Sequence, residues 1–162
     1  MNFAAVTSVR RRFGRTLILL VITAFGISGC ASWFQSDLTK LDLRLTAASD
    51  LNPDLAGRPS PLVVRIYELK APTIFQTADF FSLYEFDQQT LGMDLVNSEE
   101  MLLTPGQQTD VQAALSADTN YIAVIAAYRD IERSNWRYVM PIALQEKNRK
   151  TLVFQAQGIL EK

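Results

Sequence analysis

This chain of 162 residues contains no histidine and a single cysteine. The lack of histidine removes the commonest general base and metal ligand, and it excludes any Ser-His catalytic pair. One cysteine excludes an intrachain disulfide. Glycines occur singly, so no phosphate-binding loop is present, and the adjacent Glu99 and Glu100 point to opposite faces of a predicted strand and cannot share a substrate. We therefore predict no catalytic residues, no metal site and no enzymatic activity.

The N-terminus also lacks an apolar run long enough to span a bilayer, which needs roughly 20 residues. It has instead a basic segment, an apolar run over 17–25, and then Ile27-Ser28-Gly29-Cys30. The basic residues are Arg10, Arg11, Arg12 and Arg15. This pattern predicts a lipoprotein signal peptide over 1–29 that is removed before Cys30. The alternative is a cysteine that happens to follow an ordinary secretory signal.

Lipidation depends on the thiol of Cys30, which would accept a diacylglyceryl group, while the amine freed by cleavage would take a further acyl chain. Two or three long chains form a stable membrane anchor. We expect no cofactor other than these covalent chains. Residues 30–39 would hold the lipidated cysteine and a tether, and 40–162 the folded domain. Four of the 16 basic residues lie in the signal, which leaves 12 against 17 acidic residues, a net charge of −5 that disfavours nucleic acid as a partner.

The remainder of the chain has the period-two alternation of β-strands. Leu41, Leu43 and Leu45 alternate with polar residues, and 62–67 alternates in the same way. Residues 121–128 are almost entirely apolar, which predicts a strand in the middle of a sheet with both faces buried. Further strands are predicted over 100–104, 109–115, 136–140 and 151–156, with turns at Pro105-Gly106 and 145–150. About seven short strands favour an all-β fold, a two-sheet antiparallel β-sandwich.

A small helical insertion interrupts the strand pattern near 77–85. Phe80, Leu83 and Tyr84 have helical spacing, with Thr77 as the expected cap and Asp79 in the first turn. We interpret the aromatic side chains of this helix as part of the core, since phenylalanine is among the residues most often buried.

Two loops are candidate interaction surfaces. Residues 49–61 form a connection much longer than a hairpin requires, and three prolines stiffen it. Leu51 and Leu55 would either pack against the sandwich or anchor a partner. Residues 128–137 combine charge with Trp136, which indicates either a recognition surface or a hairpin whose charges pair on the surface while the tryptophan is packed.

Several blocks of this sequence resemble the TssJ family, also called SciN or VasD, the outer-membrane lipoproteins of the bacterial type VI secretion system. These blocks are 60–70, Phe75, 78–84, Leu91-Gly92, 103–106, 122–130 and Trp136-Arg137. The resemblance covers nearly the whole chain after Cys30. It implies a transthyretin-like β-sandwich with added helical structure.

The resemblance also implies a partner and a location. Members of the family lie in the outer membrane facing the periplasm, and hold the periplasmic domain of the inner-membrane protein TssM, which connects them indirectly to TssL. Ala31 fits outer-membrane sorting, because lipoproteins retained in the inner membrane commonly carry aspartate at that position. The role would be mechanical, with acyl chains in the membrane lipid at one end and a partner at the other.

In this family the loop between the first two strands contacts TssM, and that loop maps onto 50–59 here. The expected contact residues are Asp50, Leu51, Asn52, Asp54, Leu55 and Arg58. Two other functions remain open at this point. The chain could be a lipoprotein adaptor or pilotin of another envelope assembly, or, with less support, a lipid-anchored enzyme.

Overall fold

The computed structural model describes residues 38–162, so the predicted signal peptide, Cys30 and most of the tether lie outside the described residues. The elements in chain order are β1 (Lys40–Ala47), β2 (Leu62–Leu69), α1 (Thr73–Thr77), α2 (Phe80–Glu85), α3 (Asp87–Leu91), a 3-10 turn (Gly92–Asp94), β3 (Leu95–Leu103), β4 (Gln108–Ala114), β5 (Tyr121–Ala126), β6 (Arg137–Pro141), β7 (Lys147–Gln155) and β8 (Gly158–Glu161).

The strands form two four-stranded sheets, in the orders β4-β1-β7-β8 and β3-β2-β5-β6. This arrangement confirms the predicted β-sandwich. One pair departs from antiparallel order, because β1 and β7 are parallel. β7 arrives from β6 in the opposite sheet and enters beside the start of β1, where the Lys40 N–H donates to the Glu146 carbonyl at 2.9 Å. A crossing between sheets leaves the incoming strand free to run in either direction, unlike a hairpin.

The main core lies between the two sheets and consists of alternate residues from both. Leu43 and Leu45 of β1, Val64 of β2 and Phe154 of β7 are completely buried there. Each such side chain stabilises the fold by about 1.5–3 kcal/mol relative to an exposed one. Both sheets and their core lie within the described residues, so this segment has what it needs to fold by itself.

β5 is buried on both faces, as its apolar sequence predicts, and it lies between β2 and β6. Ile122 and Val124 face the main core. Ala123 and Ile125 face a second core, formed between the outer side of this sheet and the helical insertion. The insertion therefore gives the second sheet a buried outer face, whereas the outer face of the first sheet is polar.

The predicted helix near 77–85 is found as α2, but its cap is Asp79 and the prediction of Thr77 is wrong. Asp79 Oδ1 accepts a hydrogen bond from the Ser82 N–H at 3.0 Å, and Ser82 Oγ donates to Oδ2 at 2.6 Å. Thr77 instead ends the preceding helix α1, where its hydroxyl donates to the Thr73 carbonyl at 3.0 Å. Phe80 is buried as expected, and its ring stacks on that of Tyr84 at 5.3 Å. Phe81 is 59% exposed, so the interpretation of the aromatic side chains as core is wrong for this residue.

Two strand boundaries also differ from the prediction. The predicted turn over 145–150 is shorter, because β7 already begins at Lys147. Its first residues are polar and pair with the start of β1, so their polarity reflects a solvent-facing strand surface. Glu99 and Glu100 lie within β3 and not at its start. The predicted reversal at Pro105-Gly106 is present, with Gly106 at φ +78°.

Candidate partner-binding loop

The long connection between β1 and β2 has a buried base. Leu51 is completely buried in the main core. Asn52 is also buried, and it adopts the left-handed conformation at φ +45° that asparagine tolerates. Its side-chain Nδ2 donates to the Pro61 carbonyl at 2.9 Å, and its Oδ1 accepts from the Arg129 N–H at 2.9 Å. The base is therefore tied to its own far end and to the loop that follows β5.

The tip of this connection, residues 54–58, is organised around the carboxylate of Asp54. Oδ1 accepts hydrogen bonds from the N–H groups of Ala56 and Arg58, both at 2.9 Å. The Asp54 N–H donates to the Arg58 carbonyl at 2.9 Å, and Gly57 provides the positive φ of +75° that the turn requires. The tip is thus a closed turn whose polar groups are paired internally.

Electrostatics favour the charged form of the carboxylate at the centre of this turn. The backbone N–H of Arg58 holds the pKa of Asp54 below its ordinary value of 3.8, and the Arg58 side chain and the Ala56 N–H add to the effect. The Arg58 Nη2 lies 2.8 Å from Asp54 Oδ2. A lowered pKa means that the carboxylate is ionised at neutral pH, so its bonds to the backbone N–H groups and to Arg58 are charge-assisted there.

The side chains that the turn presents to solvent are Leu55 and Arg58. Leu55 is fully exposed at the apex, and Arg58 is 79% exposed while its guanidinium remains on Asp54. A large apolar side chain on a pre-ordered turn can be buried by a partner with little further loss of conformational entropy. Of the two leucines that the sequence singled out, Leu51 packs into the domain and Leu55 is displayed.

The loop between β5 and β6 lies beside the base of this connection. Its Arg129 N–H is the donor to Asn52, and Asp130 forms an ion pair with Arg133 at 3.8 Å. Trp136 is packed as predicted, with its ring edge-on to Phe80 at 5.3 Å. The neighbouring Arg137 guanidinium lies over the indole ring of Trp136 at 4.1 Å. The charged part of this loop is exposed, whereas its aromatic part belongs to the second core.

The predicted contact residues thus fall into two groups. Asp50, Leu55 and Arg58 are exposed, and Asp54 is half-buried within the turn. Leu51 and Asn52 are buried, so a partner could not reach them in the folded domain, and their role is to hold the loop. Arg129 was missed as a neighbour, because the bond that joins it to Asn52 spans 77 residues and leaves no local signal.

The described residues contain no other obvious chemical centre. Within 38–162, no three histidine, cysteine, aspartate or glutamate residues lie close enough to hold a metal ion. In the same segment, no helix is long and apolar enough to cross a membrane. Arg65 is half-buried under the helical insertion, where it bonds to Glu100 at 2.5 Å and to the Tyr84 carbonyl at 2.9 Å. Burial raises the pKa of the nearby Tyr67 to about 12, which fits a structural hydrogen-bond network.

Comparison with protein families gives a match over residues 39–157, to a family described as type VI secretion lipoprotein, VasD, EvfM, TssJ. A comparison with curated proteins by sequence finds no match.

Solved structures with the same fold include two named proteins of type VI secretion systems. The T6SS lipoprotein TssJ1 from Pseudomonas aeruginosa is 39% identical, with a TM-score of 0.76 over 77% of this chain and 95% of that chain. Serratia marcescens Lip, described as a membrane-bound component of the type VI secretion system, is 26% identical, with a TM-score of 0.73 over 77% and 96%. A chain of a structure described as a type VI membrane complex is 25% identical, with a TM-score of 0.69 over 77% and 98%.

Proposed function

Because this chain belongs to the family of type VI secretion lipoproteins that includes VasD, EvfM and TssJ, we propose that it is the outer-membrane lipoprotein of the secretion complex. In this role it holds the periplasmic domain of TssM, and through it TssL, by means of the loop between β1 and β2. Family membership favours this role over an adaptor of another envelope machine or an enzyme. The observation that carries the proposal is the fully exposed Leu55 on an internally bonded turn.

The anchor of this protein is Cys30, with a diacylglyceryl group on sulfur and an acyl chain on the new N-terminus. The basic segment, the short apolar run and the small residues before Cys30 support this assignment. Ala31 supports retention in the outer membrane, with the domain facing the periplasm.

The position of β1 suits a mechanical link. The tether from Cys30 enters at Lys40, the first residue of β1, and the partner loop leaves after Ala47, its last residue. The strand spans about 25 Å, at roughly 3.3 Å per residue. β1 is hydrogen-bonded on both sides, to β4 and to β7. Force applied between anchor and loop is therefore shared by two strand ladders before it can extract β1.

The test is calorimetric binding of the domain 38–162 to the periplasmic domain of TssM from the same organism. The comparison variant replaces 54–58 with glycine and serine and leaves the buried base, Leu51 and Asn52, unchanged. We expect tight binding by the native domain and none by the variant, while circular dichroism shows that both are folded. Equal binding by both would place the contact elsewhere, and no binding by the native domain would contradict the adaptor role.

A further inference from the structure

The outer face of the first sheet concentrates positive charge in an otherwise acidic chain. The residues of β1 that alternate with the inward-facing Leu41, Leu43 and Leu45 face outward. The same holds for the residues of β7 that alternate with Leu152 and Phe154. The outward basic residues, here called the cationic face, are Lys40, Arg44, Lys147, Arg149 and Lys162.

The acidic residues on this face are too few to balance it. Asp42 lies 2.8 Å from Lys147 and 3.3 Å from Arg149, and Asp110 lies 2.7 Å from Arg44. The cationic face thus holds five of the 12 basic residues that follow Cys30 but only two of the 17 acidic residues. The rest of the chain after Cys30 holds seven basic and fifteen acidic residues. The charge of this domain is therefore strongly asymmetric.

The cationic face also has room for a bound anion. A cleft of about 550 Å³ opens on it, where four basic side chains outnumber one carboxylate; the lining is Asp42, Arg44, Arg149, Lys150, Thr151 and Lys162. Guanidinium groups bind phosphate oxygens through paired N–H donors, and a hydroxyl can donate a further hydrogen bond. The chemistry of this lining therefore suits a phosphate group at a surface.

The covalent connection to Cys30 indicates which surface is available. Lys40 is both the first residue of β1 and a member of the cationic face, and it follows Cys30 by only ten positions. A fully extended segment of that length reaches at most about 35 Å. An acylated Cys30 would thus keep the face within reach of lipid headgroups, at the high effective concentration that a short tether produces.

We propose that the cationic face docks on anionic phospholipid headgroups of the membrane that holds the acyl chains, with headgroup phosphates at the cleft between Arg44, Arg149 and Lys162. This proposal rests on the lipid anchor proposed above. Docking on this face turns the acidic remainder of the domain, with the second sheet and the helical insertion, away from the bilayer. The loop after β1 stays at the edge of the docked sheet, where a partner can reach it.

The test uses the domain 38–162 without acyl chains, so that binding reports the face alone. Its partition is measured by cosedimentation with vesicles of phosphatidylcholine, with or without phosphatidylglycerol. We expect binding only to the vesicles with phosphatidylglycerol, and a loss of binding as salt is raised. The double variant Arg149→Gln and Lys162→Gln should lower the partition coefficient about thirtyfold, since each basic residue near an anionic surface contributes about 1 kcal/mol.

The matched control is Arg129→Gln with Arg133→Gln, which changes the net charge equally at exposed positions outside the cationic face. It should bind the anionic vesicles like the native domain. Arg149 is 70% exposed, and its removal leaves Asp42 paired with Lys147, so the test variant should fold normally. Equal losses in both double variants, or no preference of the native domain for anionic vesicles, would overturn the proposal. Neither result involves TssM, so the calorimetric test of the partner loop stands separately.

Discussion

Replacement of Leu55 by alanine tests the partner loop most directly. Leu55 is fully exposed in the free domain, so its removal should leave the free energy of unfolding within about 0.5 kcal/mol of the native value. In the complex the side chain would enter a pocket of TssM. The substitution removes three carbon atoms, and at about 0.8 kcal/mol for each buried group the loss of binding free energy is about 2 kcal/mol.

A loss of this size corresponds to an increase of Kd by about thirtyfold, since about 1.4 kcal/mol is a factor of ten. Calorimetry with the TssM periplasmic domain measures it, and thermal unfolding of the free domain shows whether stability is unchanged. The matched control is Leu102→Ala, which removes the same atoms from a leucine that is 56% exposed on β3. A Kd for Leu55→Ala equal to that of the control would refute the role of Leu55 as an anchor.

Four further predictions concern the groups that hold the loop and the insertion. Asp54→Ala removes the acceptor of two backbone N–H groups, so hydrogen exchange across 55–58 should accelerate and TssM binding weaken about tenfold while thermal stability changes little. With native Asp54 the tip should stay ordered above pH 3.8 and be lost as the pH falls through the lowered pKa of this carboxylate, which amide exchange measured against pH would detect. Asn52→Gly keeps the positive φ but removes both side-chain bonds, and should cost about 1–3 kcal/mol of unfolding free energy in a denaturant titration. Arg65→Gln leaves Glu100 without its partner and should lower the stability by about 2 kcal/mol, with earlier loss of near-ultraviolet circular dichroism from the insertion.

Each of the three substitutions has a result that would contradict its prediction. Unchanged exchange across 55–58 in Asp54→Ala would mean that the turn does not depend on the carboxylate. If Asn52→Gly were as stable as the native domain, its bonds to Pro61 and Arg129 would be energetically neutral. For Arg65→Gln, the comparison is Arg44→Gln, which breaks an exposed ion pair with Asp110 and should destabilise the domain far less. Equal losses of stability in the two variants would contradict the prediction for Arg65.

Much of the fold could be predicted from local patterns. The alternation of Leu41, Leu43 and Leu45 is sufficient to identify a strand with one buried face, because side chains alternate along any strand. The apolar run of β5 can also be recognised in the sequence, and its burial on both faces follows from its composition. Strand neighbours are not encoded in this way, so the parallel pairing of β1 with β7 was not predicted.

In the candidate loop as well, the sequence identifies the element but does not predict the environment of its single residues. Its length and prolines identify it in the sequence, but Leu51 and Leu55 are chemically identical. Four positions separate a side chain in the main core from one at the apex of a turn. The choice depends on the turn around Asp54 and on the bond from Arg129 to Asn52, which joins positions that are distant in the chain.

The sequence by itself determined the family resemblance, the predicted lipidation at Cys30, seven of the eight strands of the described residues and the position of the loop, because each depends on residues that are close together in the chain. Only the tertiary structure decided which leucine is displayed and that the basic residues of β1, β7 and the C-terminus share one face. Lys40 and Lys147 lie side by side because their strands pair in register. Strand pairing brings these charges together, and their electric fields add at one surface. No local pattern in the sequence predicts this positive surface, because the charges come from distant parts of the chain.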